Sequence, residues 1–259
     1  MTLLNHDIYP AAGAEAGPPL VIAHGLFGSA RNWRAIARKL SATRRVVAVD
    51  MRNHADSFHA PGHSYDDMAG DLEAVIGAVC GGTADLLGHS MGGKAAMVLA
   101  LRNGGMLRKL VIADIAPVSY THSHAQFIAA MQAVDLSTVT ARSDADAQLA
   151  ARVRDPSMRA FLIQSLAITP EGAHWKLNLD ALDAVMEEVI AWPGETGVFD
   201  KPVLFLTGAR SDYVKPEDHA AIRALFPSAA FESLDGAGHW LHAEKPKEFI
   251  AAVDAFLSR

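Results

Sequence analysis

The sequence predicts an α/β fold, a mostly parallel central sheet flanked by helices and interrupted by an all-helical insertion. Three observations predict it. Short, continuously apolar runs such as Pro19-Leu20-Val21-Ile22-Ala23 and Lys109-Leu110-Val111-Ile112-Ala113 have the composition of strands buried on both faces. Segments with apolar residues at helical spacing separate these runs, the rhythm of parallel strands joined by crossover helices. From about Pro117 to Val198 the rhythm stops and only helical stripes remain.

The first apolar run leads into His24-Gly25-Leu26-Phe27-Gly28. Ser29 then reads as an N-cap, with Trp33, Ile36, Ala37 and Leu40 on one helical face. Arg45-Val46-Val47-Ala48-Val49-Asp50 is the next buried strand. After a histidine-rich loop, Ser64-Tyr65-Asp66-Asp67 has the form of a capping box, opening a helix that turns Met68, Leu72, Val75, Ile76 and Val79 inward. The run from Ala84 ends at Ser90 and passes into a helix of small residues, closed by Asn103-Gly104-Gly105. The strand from Lys109 ends at Asp114. In the insertion, the groups Phe127, Ile128, Met131 and Val134, then Phe161, Leu162 and Leu166, then Leu179, Leu182, Val185, Met186 and Val189, each read as a helical stripe. So many apolar positions require a surface to pack on, so the segment is expected to sit as a lid over the strand ends. The alternation resumes with a strand from Lys201 to Gly208 and a helix with Pro216 in its first turn and Glu217 and Asp218 at its positive end. Ala230 to Leu234 is a last short strand, and a helix from Pro246 buries Phe249, Ile250, Val253, Phe256 and Leu257. The expected division is a core of residues 1–116 and 199–259 with a helical cap of residues 117–198.

Composition limits what such a chain does. Its 259 residues are 50% hydrophobic and 20% charged, enough for one large core and too apolar for disorder. A net charge of −6 offers no electrostatic reason to bind nucleic acid or an anionic membrane surface. The single cysteine, Cys80, excludes an internal disulfide and suits a reducing compartment. Residues 1–10 show no basic region followed by an apolar core, and no apolar run approaches the ~20 residues that span a bilayer. A cytoplasmic protein is expected.

The chemistry centres on Gly88-His89-Ser90-Met91-Gly92, a Gly-x-Ser-x-Gly pattern between a strand and a helix. A serine on so tight a turn needs neighbours without side chains, because strand and helix approach each other there. Gly88 to Lys94 also spells a phosphate-loop pattern, but Ala95 stands where that loop needs Ser or Thr to hold magnesium. A serine hydroxyl is a poor nucleophile until a base takes its proton, and the base in turn needs a carboxylate to fix its tautomer. His239, in a glycine-flanked loop after the last strand, is the candidate base, and Asp114, at a strand end, the candidate acid. The amides of Leu26 and Met91 are the candidate oxyanion donors. Phe27, Met91, Tyr120 and Trp240 are candidate walls for an acyl group, and His122 and His124 are placed at the cap entrance. His54, His59 and His63 share a loop, but their spacing matches no helix-borne zinc pattern, so no metal is expected. Lys94 reads as structural, and Asp50 and Arg52 as residues that hold their loop.

Taken together, the chain resembles an α/β-hydrolase with a helical cap and, more narrowly, the YbfF-type esterases. The residues that carry the resemblance are His24-Gly25-Leu26-Phe27-Gly28-Ser29, Asp50-Met51-Arg52-Asn53-His54, Gly88 to Lys94, Asp114-Ile115-Ala116-Pro117-Val118, Trp175-Lys176-Leu177-Asn178-Leu179 and Gly238 to Pro246. The resemblance implies a catalytic triad and oxyanion hole that hydrolyse small-molecule esters, including acyl thioesters, without metal or cofactor. One departure is Ala55, where the family usually has glycine, and a local loop adjustment is expected there. Many α/β-hydrolases carry the acid after the penultimate strand in a G-x-x-D pattern; here Gly208-Ala209-Arg210 is followed by Ser211, and Asp212 comes one residue later. Asp114 is therefore favoured, with Asp212 as the alternative. A serine at the elbow argues against haloalkane dehalogenase and epoxide hydrolase chemistry, which needs a carboxylate there. Carbon–carbon bond hydrolysis, cofactor-free perhydrolysis and a non-catalytic ligand-binding module remain as alternatives. Oligomeric state, acyl-chain length and stereochemical preference are not legible in the sequence.

Overall fold

The computed structural model describes residues 2–121 and 123–259, so His122 lies outside the described residues. The chain begins with β1 (His6–Tyr9), β2 (Leu20–Ala23), α1 (Arg34–Leu40), β3 (Val46–Val49), α2 (Tyr65–Val79), β4 (Ala84–His89), α3 (Met91–Asn103) and β5 (Leu107–Ala113). Then come α4 (Ala125–Gln132), α5 (Arg142–Leu149), α6 (Pro156–Ile163), β6 (Leu166–Thr169), β7 (Gly172–Trp175), α7 (Leu179–Ala184) and α8 (Met186–Ile190). The chain ends with β8 (Val203–Gly208), α9 (His219–Leu225), β9 (Ala229–Leu234), α10 (Leu241–Glu244) and α11 (Pro246–Ser258). The seven-stranded sheet runs β1-β3-β2-β4-β5-β8-β9, and its strands pair in parallel except for the edge strand β1, which is antiparallel to β3.

Helices on both faces explain the continuous apolar strands. Successive side chains of a strand point to opposite faces. Val21 and Ala23 therefore pack in the cluster that holds Met68, Leu72 and Val98, from α2 and α3. Leu20 and Ile22 pack in the other, with Ile36 of α1 and Phe249 and Val253 of α11. The capping box expected at Ser64 forms, whereas Ser29, read as an N-cap, precedes a short 3-10 turn at Ala30–Trp33 and its side chain accepts no helix N–H. Ser64 Oγ accepts from Asp67 N–H at 3.1 Å while Asp67 Oδ2 accepts from Ser64 N–H at 3.1 Å, closing the box at the start of α2. Register aligns the carboxyl ends: Ala23 lies opposite Gly88, Gly88 opposite Ile112, and Ala113 opposite Leu206. The loops that leave β2, β4, β5 and β8 consequently emerge side by side, where open α/β sheets bind their ligands.

The segment between β5 and β8 is not all helical, which corrects the sequence expectation. It contains the antiparallel hairpin of β6 and β7, in which Leu166 pairs with Trp175 and Thr169 with Gly172. Four-residue strands are too short for a period of two to stand out, and Leu166 falls at helical spacing from Phe161 and Leu162. The helix in fact stops at Ile163, and Pro170 and Glu171 form the tight connection, with Gly172 at φ 127° completing it. The hairpin delivers Lys176, Leu177 and Asn178 to the loop after β3: His54 bridges to Leu177, and Asn178 N–H donates to Asn53 O at 3.0 Å.

Candidate active site

Ser90 occupies the turn between β4 and α3 with φ 52° and ψ −121°, a conformation that non-glycine residues rarely hold. Its surroundings leave no room for side chains. A Cβ on Gly88 would lie 2.3 Å from Gly92 O, and one on Gly92 would lie 2.5 Å from Ala23 O. Ser90 N–H donates to Ala113 O at 3.1 Å, which fastens the elbow to the end of β5. The next residue of that strand end, Asp114, is fully buried at φ 53°.

Asp114 is held on every side. Its Oδ1 accepts from Gly208 N–H at 3.0 Å, and its Oδ2 accepts from the Ser211 hydroxyl and from His239 Nδ1, the latter at 2.7 Å. A carboxylate only accepts, so Nδ1 of His239 carries the proton and Nε2 is left as the basic nitrogen. The loop of His239 reaches this position because Gly208 has no side chain: a Cβ there would lie 2.3 Å from Gly238 O. The Tyr213 ring stacks on the imidazole, with centroids 3.9 Å apart, and His89 Nε2 donates to the His239 carbonyl at 2.9 Å. Asp212 is exposed, and the carboxylate at His239 is that of Asp114.

Ser90 and His239 line one cavity of about 330 Å³, together with Leu26, Phe27, Phe127, Met158, Phe161 and Trp240. Apolar side chains thus surround the hydroxyl and the imidazole. Leu26 and Ser90 also line a second, smaller cavity of about 30 Å³, with Met91, Lys94 and Tyr120. The two expected walls Phe27 and Trp240 belong to the larger space, and Tyr120 to the smaller one. Leu26 lines both cavities with Ser90, and Met91 follows Ser90 as the first residue of α3. A Cβ on Gly25 would lie 3.0 Å from Ser90 Cβ, so only glycine lets the loop after β2 pass this close. Met91 opens α3, and its N–H has no carbonyl one turn earlier in the helix to bind.

Several residues at the site escaped the sequence reading or take other parts there. Lys94, one turn into α3, is buried, and its Nζ donates to Ile190 O at 2.8 Å and Ala191 O at 2.6 Å. Burial pulls its amine down to about 7. Tyr65 Oη donates to Val189 O at 2.6 Å, so three consecutive carbonyls at the end of α8 are tied to the core. Of the three histidines in the loop after β3, His54 and His63 meet with ring centroids 5.6 Å apart and His59 does not join them. His54 is buried, His59 is exposed, and His63 Nε2 lies 3.4 Å from Met91 Sδ. Among the described residues no group of three or more His, Cys, Asp or Glu side chains is arranged to hold a metal. Burial, reinforced by neighbouring histidines, pushes His24 down to about 4 and His54 and His242 to about 3. Asp50 and Arg52 act as read: Asp50 Oδ1 accepts from Ala30 N–H at 2.7 Å, and Arg52 pairs with Asp71 at 2.5 Å. Ala55 takes the left-handed conformation itself, at φ 48°, where glycine would be unstrained. No helix among the described residues is long and apolar enough to cross a membrane.

Known proteins are similar to this chain along almost its whole length. The mouse sn-1-specific diacylglycerol lipase ABHD11 is 41% identical over 93% of this chain and 81% of its own length. Esterase YbfF of Escherichia coli is 35% identical, covering 98% of this chain and 99% of its own. A solved marine microorganism esterase superposes with a TM-score of 0.92 at 35% identity, covering 99% of this chain and 100% of that one. The model of the alpha/beta hydrolase family matches residues 20–253. An elbow serine between β4 and α3, in a chain matched this completely, makes the protein a member of the alpha/beta hydrolase family.

Proposed function

We propose that the protein is a serine hydrolase of carboxylic esters and thioesters in which Ser90, His239 and Asp114 form the catalytic triad. Ser90 Oγ attacks the acyl carbonyl as His239 Nε2 takes its proton. Asp114 holds Nδ1–H and stabilises the imidazolium that forms. The N–H groups of Leu26 and Met91 receive the charge that develops on the carbonyl oxygen, an effect worth about 3 kcal/mol of barrier per donor. The imidazolium returns the proton to the leaving alcohol or thiol, and water, activated by the same nitrogen, releases the acyl group from Ser90.

The observation that carries this reading is the 2.7 Å contact between His239 Nδ1 and buried Asp114, on a wall shared with Ser90. Residues 117–198 serve as the cap, since Phe127, Met158 and Phe161 close the cavity from that side. A space of about 330 Å³ is at the small end of the ~300–1,000 Å³ of ordinary small-molecule sites, which favours short and medium acyl groups. The esterase and lipase names of the relatives agree with an ester as substrate. The test is rapid mixing with p-nitrophenyl esters of increasing chain length, alongside the corresponding acyl thioesters. A burst of one nitrophenolate per Ser90, absent in Ser90→Ala, and a kcat/KM that peaks between butyryl and octanoyl are expected; turnover by Ser90→Ala at the wild-type rate overturns the reading.

A further inference from the structure

The loop after β2, which carries Leu26, and the loop after β3 exchange hydrogen bonds through two histidines. His24 Nδ1 donates to Gly25 O at 2.7 Å, and its Nε2 accepts from Met51 N–H at 2.9 Å. His54 Nδ1 donates to Arg52 O at 2.8 Å, and its Nε2 accepts from Phe27 N–H at 3.1 Å. Each loop thus supplies an imidazole to the other's backbone, and the two rings meet edge to face with centroids 5.1 Å apart. A carbonyl can only accept, so both Nδ1 atoms carry the proton and both Nε2 atoms are acceptors. The bond to Phe27 fixes a strained peptide. Phe27 is at φ 63°, and the amide before it belongs to Leu26.

The loop of His54 is in turn held by the cap. Beside the His54–Leu177 bridge, Asn178 N–H donates to Asn53 O at 3.0 Å and Asn178 Nδ2 to Asn53 Oδ1 at 3.1 Å. Asn53 is itself left-handed, at φ 64°. A continuous path of hydrogen bonds and chain therefore runs from Asn178, the N-cap of α7 in the cap, through Asn53 and His54 to the Phe27 amide in the loop after β2.

We propose that His54 is a positioning residue, whose neutral imidazole aims the Leu26 amide at the developing oxyanion and makes that aim depend on the docking of residues 176–178 of the cap. The proposal rests on Ser90 as nucleophile, and its test separates the two. Burial agrees with it, since it keeps the ring neutral and its Nε2 free to accept. An oxyanion donor acts chiefly in the transition state, so misaiming it lowers kcat and leaves KM almost unchanged.

The experiment compares wild type with His54→Leu, His54→Gln, Asn178→Ser and the double variant His54→Leu/Asn178→Ser. It measures p-nitrophenyl butyrate kinetics, the affinity of a trifluoromethyl ketone that forms a hemiketal oxyanion, and the affinity of butyrate, which forms none. His54→Leu is expected to lose about 10²-fold in kcat and a similar factor in ketone affinity, with KM and butyrate affinity within threefold. His54→Gln, whose Oε1 restores an acceptor at the Nε2 position, recovers most of both. Asn178→Ser, which keeps a helix-capping hydroxyl for α7, loses about tenfold in the same two quantities, and adding it to His54→Leu lowers neither further. A folded His54→Leu with wild-type ketone affinity overturns the proposal, as does a loss that His54→Gln fails to recover. If His54→Leu does not fold, Asn178→Ser decides: wild-type kcat and ketone affinity overturn the proposal, and a parallel fall in both at constant KM supports it. Failure of a fluorophosphonate to label Ser90 in the wild type rejects the nucleophile itself and is read separately.

Discussion

Asp114 shows how one carboxylate serves where sequence patterns divide. Its two oxygens take the Gly208 amide, the Ser211 hydroxyl and the His239 imidazole, the first two from the turn that ends β8 and the third from the loop after β9. Ser211 stands where the G-x-x-D pattern would carry an acid, and its hydroxyl instead donates to the acid that comes from β5. Replacing Asp114 by Asn would put an amide against Nδ1 and favour the wrong tautomer of His239. Asp114→Asn is therefore expected to lower kcat by a factor near ~10⁴ while Asp212→Asn stays within a few-fold of wild type, as esterase kinetics on folded variants will show. Ser90 and His239 were legible because a glycine-bounded serine and a histidine after the last strand are local signals. The part played by Ser211 was not, since a hydroxyl gains its meaning only from a partner 97 positions away in sequence.

At the scale of elements, most helices and strands follow from periodicity, and the exceptions have a common cause. The strands β1, β6 and β7 have four residues each, too few to show alternation, and, being mostly outside the core, they lack the continuous apolar run that marks the equally short β2 and β3. The cap hairpin nevertheless matters, because it carries Leu177 and Asn178 to the loop of His54. At the other end of the cap, Lys94 and Tyr65 bind the carbonyls of Val189, Ile190 and Ala191. The sequence reading made Lys94 structural, and its contacts tie the helix after Ser90 to the exit of the cap. Lys94→Met removes the donor of two of these bonds and leaves the carbonyls without it. Amides of residues 189–192 should then exchange with deuterium at least tenfold faster by mass spectrometry, with the centre of the sheet unchanged; unaltered protection of 189–192 would show that Lys94 does not hold the cap.

Across the whole molecule, buried neutral histidines link stability to pH. His24, His54, His63 and His242 are held at about 4, 3, 3 and 3, against an ordinary value near 6.5, and His89 well below it, in each case first by burial. Between these values and 6.5 the unfolded chain binds protons that the folded one refuses. Stability is thus complete above about pH 6.5 and is lost as pH falls toward 4 and 3, by about 1.4 kcal/mol per pH unit for each such group. Thermal melts should show Tm level between pH 7 and 8 and falling steeply from 6.5 to 5, above the range where carboxylates titrate; a level Tm down to pH 5 would contradict the neutral assignment. The fold class was readable from alternation and the elbow, because those depend on local pattern and strand ends. How tightly the cap grips the core was not, because it depends on contacts such as Asn178 with Asn53 and Lys94 with Ile190, far apart in the chain.

The triad itself is tested most directly by mapping a fluorophosphonate adduct by mass spectrometry in wild type and in His239→Ala. The expected result is one adduct per chain, on Ser90, forming at least ~10³-fold more slowly without the imidazole. An adduct on another residue, or equal labelling rates in the two proteins, would contradict it.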